Sequence, residues 1–235
     1  MNRFYTLVTT QELKNGQYGI LLDGKLVKTK GRFDLSAPTQ AIANTIMQEW
    51  SAQGDKIIPD TMPVTQILST KIDRISAERG VITASILKYL DTDLICYYAD
   101  APDDLITQQQ KAWQKWQSYF ESKFTCVLQT TDGLAALTQE QKVHTALKDY
   151  VESLDDDHFT LLQMMTSLSG SIILAVCFVD GGMNAGDVLT ACFVEENFKN
   201  DLYDAEKYGV DPLLEKQQRE MTRDLNACQS YLANL

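Results

Sequence analysis

Tyr18-Gly19-Ile20-Leu21-Leu22-Asp23-Gly24-Lys25-Leu26-Val27-Lys28-Thr29 is the stretch that decides the fold. Tyr18, Ile20 and Leu22 alternate up to Asp23-Gly24, and Leu26, Val27 and Thr29 continue beyond it. Asp-Gly between two such runs predicts a two-residue hairpin turn, because its central positions tolerate positive φ. Upstream, Asn15-Gly16 marks an earlier turn and Phe4–Val8 supplies a further strand. Downstream, Ser36 just ahead of Pro38 reads as a helix start and Gly54 as its stop. Inside that helix Ile42, Ile46 and Trp50 recur every fourth residue with Met47 beside them, which makes one face apolar.

Beyond Pro59 and Pro63 the pattern is helical with few breaks. Ile67, Leu68, Ile72 and Ile75 form one stripe, and Val81, Ile82, Ile86 and Tyr89 form the next. Leu105, Ala112, Trp113, Trp116 and Phe120 share another helical face. Leu94–Tyr98 reads as a strand or a buried connector, and Phe124–Leu128 as a second strand. Thr138 with Gln141 three positions on has the form of a capping box opening a helix. From Phe159 to Val179 no residue is ionised at neutral pH. Hydroxyl residues crowd its first half, however, and its acidic flanks offer no positive anchor, so it reads as a central buried helix rather than a bilayer span. Gly181-Gly182 ends that helix, Gly209 ends another, and Pro212 opens the last, which aligns Leu213, Leu214, Met221, Leu225, Cys228 and Tyr231. The fold class that follows is α+β: a small antiparallel β-rich amino-terminal domain, residues 1–66, then a helical bundle domain, residues 67–235.

Composition narrows the function. The chain holds 235 residues, 44% hydrophobic and 23% charged, and carries a formal charge of −11. Such acidity opposes binding to nucleic acid, where phosphate attraction dominates, and to anionic membranes. Five cysteines, Cys96, Cys126, Cys177, Cys192 and Cys228, are scattered without a CxxC pair and read as free thiols in a reducing compartment. No signal or transit pattern opens the sequence, so a cytoplasmic protein is expected, with a trimmed mitochondrial form as the other possibility.

Every stretch that resembles catalytic chemistry has a simpler structural reading. His144 and His158 are isolated, and no motif supports a zinc site. Ser167-Leu168-Ser169-Gly170-Ser171 lacks the first glycine of a nucleophile elbow, and Asp180–Gly186 lacks the ending of a phosphate loop. Asp91-Thr92-Asp93 offers two carboxylates that would serve a metal-dependent hydrolase, or equally a helix stop followed by a capping turn. Neither catalytic residue, cofactor nor bound metal is expected. Acidic residues gather at Glu195, Glu196, Asp201, Asp204 and Glu206.

Several linked motifs run through the first half in a fixed order. They are Leu22-Asp23-Gly24-Lys25, Lys28-Thr29, Pro38-Thr39, Glu49-Trp50-Ser51-Ala52-Gln53-Gly54, Ile58-Pro59-Asp60-Thr61-Met62-Pro63, Ile72-Asp73-Arg74 and Tyr89-Leu90-Asp91-Thr92-Asp93-Leu94-Ile95-Cys96-Tyr97, followed by Pro102, Leu105, Gln110 and Trp113. In these the sequence resembles the assembly chaperones of the F-type ATP synthase head that act on the α subunit. The resemblance implies a small β-containing domain followed by an orthogonal helical bundle. It further implies no catalysis, no nucleotide use, and a partner, the unassembled α subunit, held until the β subunit replaces it; a monomer is expected.

Two site regions carry over from the resemblance. The family's tryptophan matches Trp50, next to Glu49. Its acidic-aromatic stretch aligns with Asp201–Gly209, where the usual Glu falls on Asp201, the usual Gln on Asp204 and the usual Trp on Tyr208. A slipped alignment would place the functional pair at Glu195-Glu196 instead. Gln114-Lys115 also departs from the family's common Asp-Pro. Trp50 has a purely structural reading besides, as an indole anchoring the small domain, and an acidic module with another client is the wider alternative.

Overall fold

In the computed structural model, residues 1–133, 135–202 and 212–235 are described. The chain divides into two compact units, Met1–Arg79 together with Asn226–Leu235, and Gly80–Leu225. The expectations at Gly209 and in most of the acidic-aromatic stretch fall outside the described residues.

The first unit is organised by strand β2, Tyr18–Leu22, which pairs antiparallel with β1, Val8–Glu12, with β3, Lys25–Leu26, and with β4, Ser36–Ala37. Leu22 lies opposite Lys25 across a two-residue turn in which Asp23 and Gly24 have φ of 47° and 78°, the positive pair the Asp-Gly dipeptide predicts. The Asp23 carboxylate accepts hydrogen bonds from Leu7 N at 2.8 Å and Thr6 N, which hold its pKa below the ordinary value. Those bonds also explain why the strand expected over Phe4–Val8 begins only at Val8: the preceding donors are taken by a side chain rather than by a ladder.

Helix α1, Gln40–Ser51, places Ile42, Ala43 and Ile46 in the core beside Ile20 and Leu22 of β2. Its cap is Thr39, whose hydroxyl accepts from Ile42 N at 3.2 Å, and it stops at Ser51 rather than Gly54. Ser36, expected to open the helix, belongs to β4 instead because Tyr18 and Gly19 pair with it and Ala37. Pro63 opens α2, Pro63–Thr70, which runs through a π-helical turn, Lys71–Ile75, into α3, Ser76–Ile86. The extra residue in the π turn shifts the helical phase. Within α3, Val81 is 76% exposed and Thr83 takes the buried position beside Ile82 and Ile86.

The second unit contains α4, Asp103–Phe124; α5, Gln141–Ser153; α6, Asp156–Ser169; α7, Ile172–Val179; α8, Ala185–Cys192; and α9, Val194–Leu202. The last helix, α10, Pro212–Ala233, runs on into the residues of the first unit. All eight residues of α7 are buried, which accounts for a segment apolar on every side.

The single helix expected over residues 159–179 is two. Gly170 ends α6 in the left-handed region at φ 69°, and Ser171 caps α7 by accepting from Leu174 N at 3.0 Å. Among the described residues no helix is long and apolar enough to cross a membrane.

Two other expectations are corrected. Phe124 ends α4 rather than opening a strand, and Thr125 turns the chain at φ 49°. The extended pairing lies further on, where Thr131 bridges Tyr97 in parallel. Glu140, not Thr138, is the cap residue of α5, and no side chain closes a capping box there.

Candidate functional site

Trp50 sits near the carboxyl end of α1, where its ring lies 5.7 Å from that of Tyr5. The Tyr5 hydroxyl donates to the Trp50 carbonyl at 2.7 Å, and burial raises the Tyr5 pKa. Arg3 donates to the carbonyls of Tyr5 and Gln53, and its guanidinium lies 4.7 Å from the Tyr5 ring centroid. The Trp50 Nε1 donor is buried and has no hydrogen-bond acceptor among the described residues. An unsatisfied buried donor of this kind costs about 1–3 kcal/mol, so the indole is held by packing alone. The aromatic cluster pins the start of the chain, whose Phe4 and Leu7 are exposed beside it in sequence.

Glu49, its neighbour, points elsewhere. Its carboxylate accepts from Val64 N at 2.7 Å, Thr65 N at 2.8 Å and the Thr65 hydroxyl at 2.6 Å, capping α2. Burial raises its pKa, while those three bonds act in the opposite direction. Gln53 completes the arrangement. Its amide donates to the Glu49 carbonyl and to the Thr61 hydroxyl, both at 3.0 Å, and its Oε1 accepts from Ile58 N at 2.8 Å. Arg3, Tyr5 and Gln53 escaped the sequence reading as site residues; the one available signal was the place of Gln53 in the Glu49–Gly54 motif.

Glu49→Ala is expected to lower unfolding stability by about 1–3 kcal/mol through the orphaned N–H groups at the start of α2. Urea denaturation measures this.

In the second unit, Glu195, Glu196 and Asp201 lie on α9. Glu195 accepts from the Gln109 side chain at 3.1 Å, and the same Gln109 accepts from Ala99 N at 2.9 Å. Asp201 is exposed, six positions on from Glu195, so the two do not share a helical face. Asp204 and Tyr208 lie outside the described residues. Trp50 and Glu49 are thus brought together in one unit, and the three described acids occupy a single helix of the other.

The carboxylates of the hydrolase reading do not converge. Asp93 is fully buried and accepts from Ile95 N at 3.2 Å and Ile173 N at 3.0 Å. Asp91 accepts from Gln139 N at 2.8 Å and meets His144 Nε2 at 3.0 Å. His158 lies 2.9 Å from the Asp155 carboxylate that caps its own helix. Among the described residues, no three of His, Cys, Asp and Glu are grouped to hold a metal ion.

Comparison with known proteins places this geometry. The family model described as the ATP12 chaperone protein matches residues 2–121. The chain belongs to the ATP12 chaperone family. It is 25% identical over 190 residues to the mitochondrial protein atp12 of Schizosaccharomyces pombe, covering 75% of this chain and 65% of that protein, just under two thirds of its length. Mitochondrial ATP12 of Saccharomyces cerevisiae is 21% identical over 255 residues, covering 92% of this chain and 78% of the yeast protein. The crystal structure of Atp12 from Paracoccus denitrificans superposes with a TM-score of 0.86 at 28% identity, over 99% of this chain and 97% of that one. The mixed fold, with its small antiparallel sheet at the amino end, is the ATP12 fold.

Proposed function

We propose that this protein is an ATP-independent assembly chaperone of the F-type ATP synthase that holds the unassembled α subunit. It covers the surface the α subunit later gives to the β subunit, and so prevents aggregation before the hexamer forms. Membership of the ATP12 family is the observation that carries the reading. The physical need is plain: an orphan subunit exposes large apolar interfaces at the stage when association with its own kind is fastest.

The protein acts by lending surface rather than by making or breaking bonds. Its affinity is moderate, since the β subunit must displace it. Trp50 contributes by bracing the amino-terminal segment that carries Phe4 and Leu7, and the acidic residues of α9 form the second contact region. With a charge of −11 the chain is repelled by nucleic acid and anionic lipid, and it works in solution, in the bacterial cytoplasm or the mitochondrial matrix.

Light scattering of isolated α subunit tests this. An equimolar amount of the protein is expected to suppress aggregation without ATP, and added β subunit to release it. Equal aggregation with and without the protein would overturn the reading.

A further inference from the structure

Between β3 and β4 the chain makes a tight loop. Lys28 and Asp34 form an antiparallel bridge and an ion pair across its base. Thr29 N donates to Phe33 O at 2.9 Å, and Arg32 N donates to Thr29 O at 3.0 Å. Asp73, from the π turn, braces the loop from below: it accepts from the Thr29 hydroxyl and from Gly31 N at 3.1 Å. A Cβ on residue 31 would stand 2.6 Å from the Asp73 carboxylate and would push it from this position, so glycine suits the brace. Arg32 is held at φ 68°, a left-handed conformation that costs an arginine about 1–2 kcal/mol.

The loop is thus fixed against local strain, and its tip shows unusual chemistry for this chain. Phe33 is 58% exposed. Lys30 and Arg32 are exposed and make no ion pair among the described residues. Residues 1–79 hold ten Lys and Arg against eight Asp and Glu, whereas residues 80–225 hold eleven against twenty-four. A rigid tip joining an arginine to an exposed aromatic ring is the composition of a protein-binding hot spot. Fixing it beforehand removes the ordering cost of association. Polyanions such as RNA or an anionic bilayer are disfavoured by the charge of the whole chain, and the acidic residues of a second copy are the competing occupant that the test below separates.

We propose that this braced loop is a client-contact site: Arg32 and Lys30 engage a carboxylate-bearing segment of the unassembled α subunit, and Phe33 enters an apolar recess beside it. The inference rests on the reading that the α subunit is the client.

The test measures binding of the full-length protein to isolated α subunit by calorimetry, with Arg32→Gly and Phe33→Ser. Glycine accepts the left-handed backbone at residue 32, so Arg32→Gly removes the cation and leaves the loop in place. Each variant is expected to bind about tenfold more weakly or worse with a melting temperature no lower than the wild type's. The wild type is also expected to lose affinity with added salt more steeply than Arg32→Gly. Wild-type affinity in both variants would overturn the proposal. So would a wild-type dimer that Arg32→Gly converts to monomer without any change in client affinity, which would make the loop a contact between copies. Failure of the wild type to bind α subunit would overturn the client reading itself, and is recognised from the wild type alone.

Discussion

Trp50→Ala is expected to lower unfolding stability by about 3 kcal/mol, the low end for truncating a large aromatic, because the ring is half-buried. The substitution removes the surface against which Tyr5 packs, so the loss extends to residues 3–7. Trp50→Phe separates two causes. Phenylalanine keeps an aromatic ring against Tyr5 and deletes the buried Nε1–H, which has no acceptor. Relief of that unsatisfied donor, about 1–3 kcal/mol, offsets the smaller ring. Trp50→Phe is therefore expected within about 1 kcal/mol of the wild type in urea denaturation. It is also expected to retain the capacity to keep α subunit soluble, while Trp50→Ala loses it. If Trp50→Phe is as unstable as Trp50→Ala, the indole nitrogen contributes in a way that its missing acceptor does not explain.

Asp93→Ala has the other large expected effect, roughly 3–5 kcal/mol of stability near pH 4, because it orphans several donors at once. The carboxylate receives the N–H groups of Ile95, Ile172 and Ile173 and the Ser171 hydroxyl, and so holds the start of α7, the helix at the centre of the second unit's core. The group also gives stability a pH signature. Burial raises the Asp93 pKa from 3.8 to about 7, against the lowering effect of those donors. An acid whose folded pKa is raised contributes fully below its unfolded value and loses that contribution as pH climbs toward the folded one. The difference in urea midpoint between wild type and Asp93→Ala is thus expected to be widest near pH 4, to narrow toward about pH 7, and to stay level beyond it. A difference that widens over that range would show that the donors outweigh burial and favour the carboxylate.

The sequence disclosed those features whose causes are local. Asp23-Gly24 specifies its hairpin because both residues adopt positive φ within the turn itself. The apolar face of α1 follows from a four-residue recurrence, and Asp93 caps a short turn, as one of its two sequence readings supposed. Features that depend on distant partners were hidden. Ser36-Ala37 is a strand only because Tyr18-Gly19 offers an edge to pair with. Gly170 breaks a helix that apolar periodicity would continue, since Ser171 supplies a fresh cap.

The candidate site shows the same division. The Glu49-Trp50 pair was visible through the resemblance, but not that Glu49 turns to α2, because its partners Val64 and Thr65 lie fifteen and sixteen positions away. Nor was it visible that the Trp50 indole lacks an acceptor, which depends on how the amino-terminal segment folds over it. Val81 was misplaced for a third reason. The buried face of α3 runs through Ile82, Thr83 and Ile86, so the apolar residue one position before it falls on the exposed side.

The membership of Asn226–Leu235 in the first unit has a consequence for how the protein is born. Asn234 O receives the hydroxyl of Thr39, the residue that also caps α1, so residues 195 positions apart meet in one core. On the ribosome the amino-terminal residues must wait for 146 others before their last neighbours emerge, a delay on the order of 10 s at ordinary elongation rates. During that interval the nascent first unit is incomplete, while the second, Gly80–Leu225, is still being made. A member of a chaperone family is itself, for those seconds, unfinished.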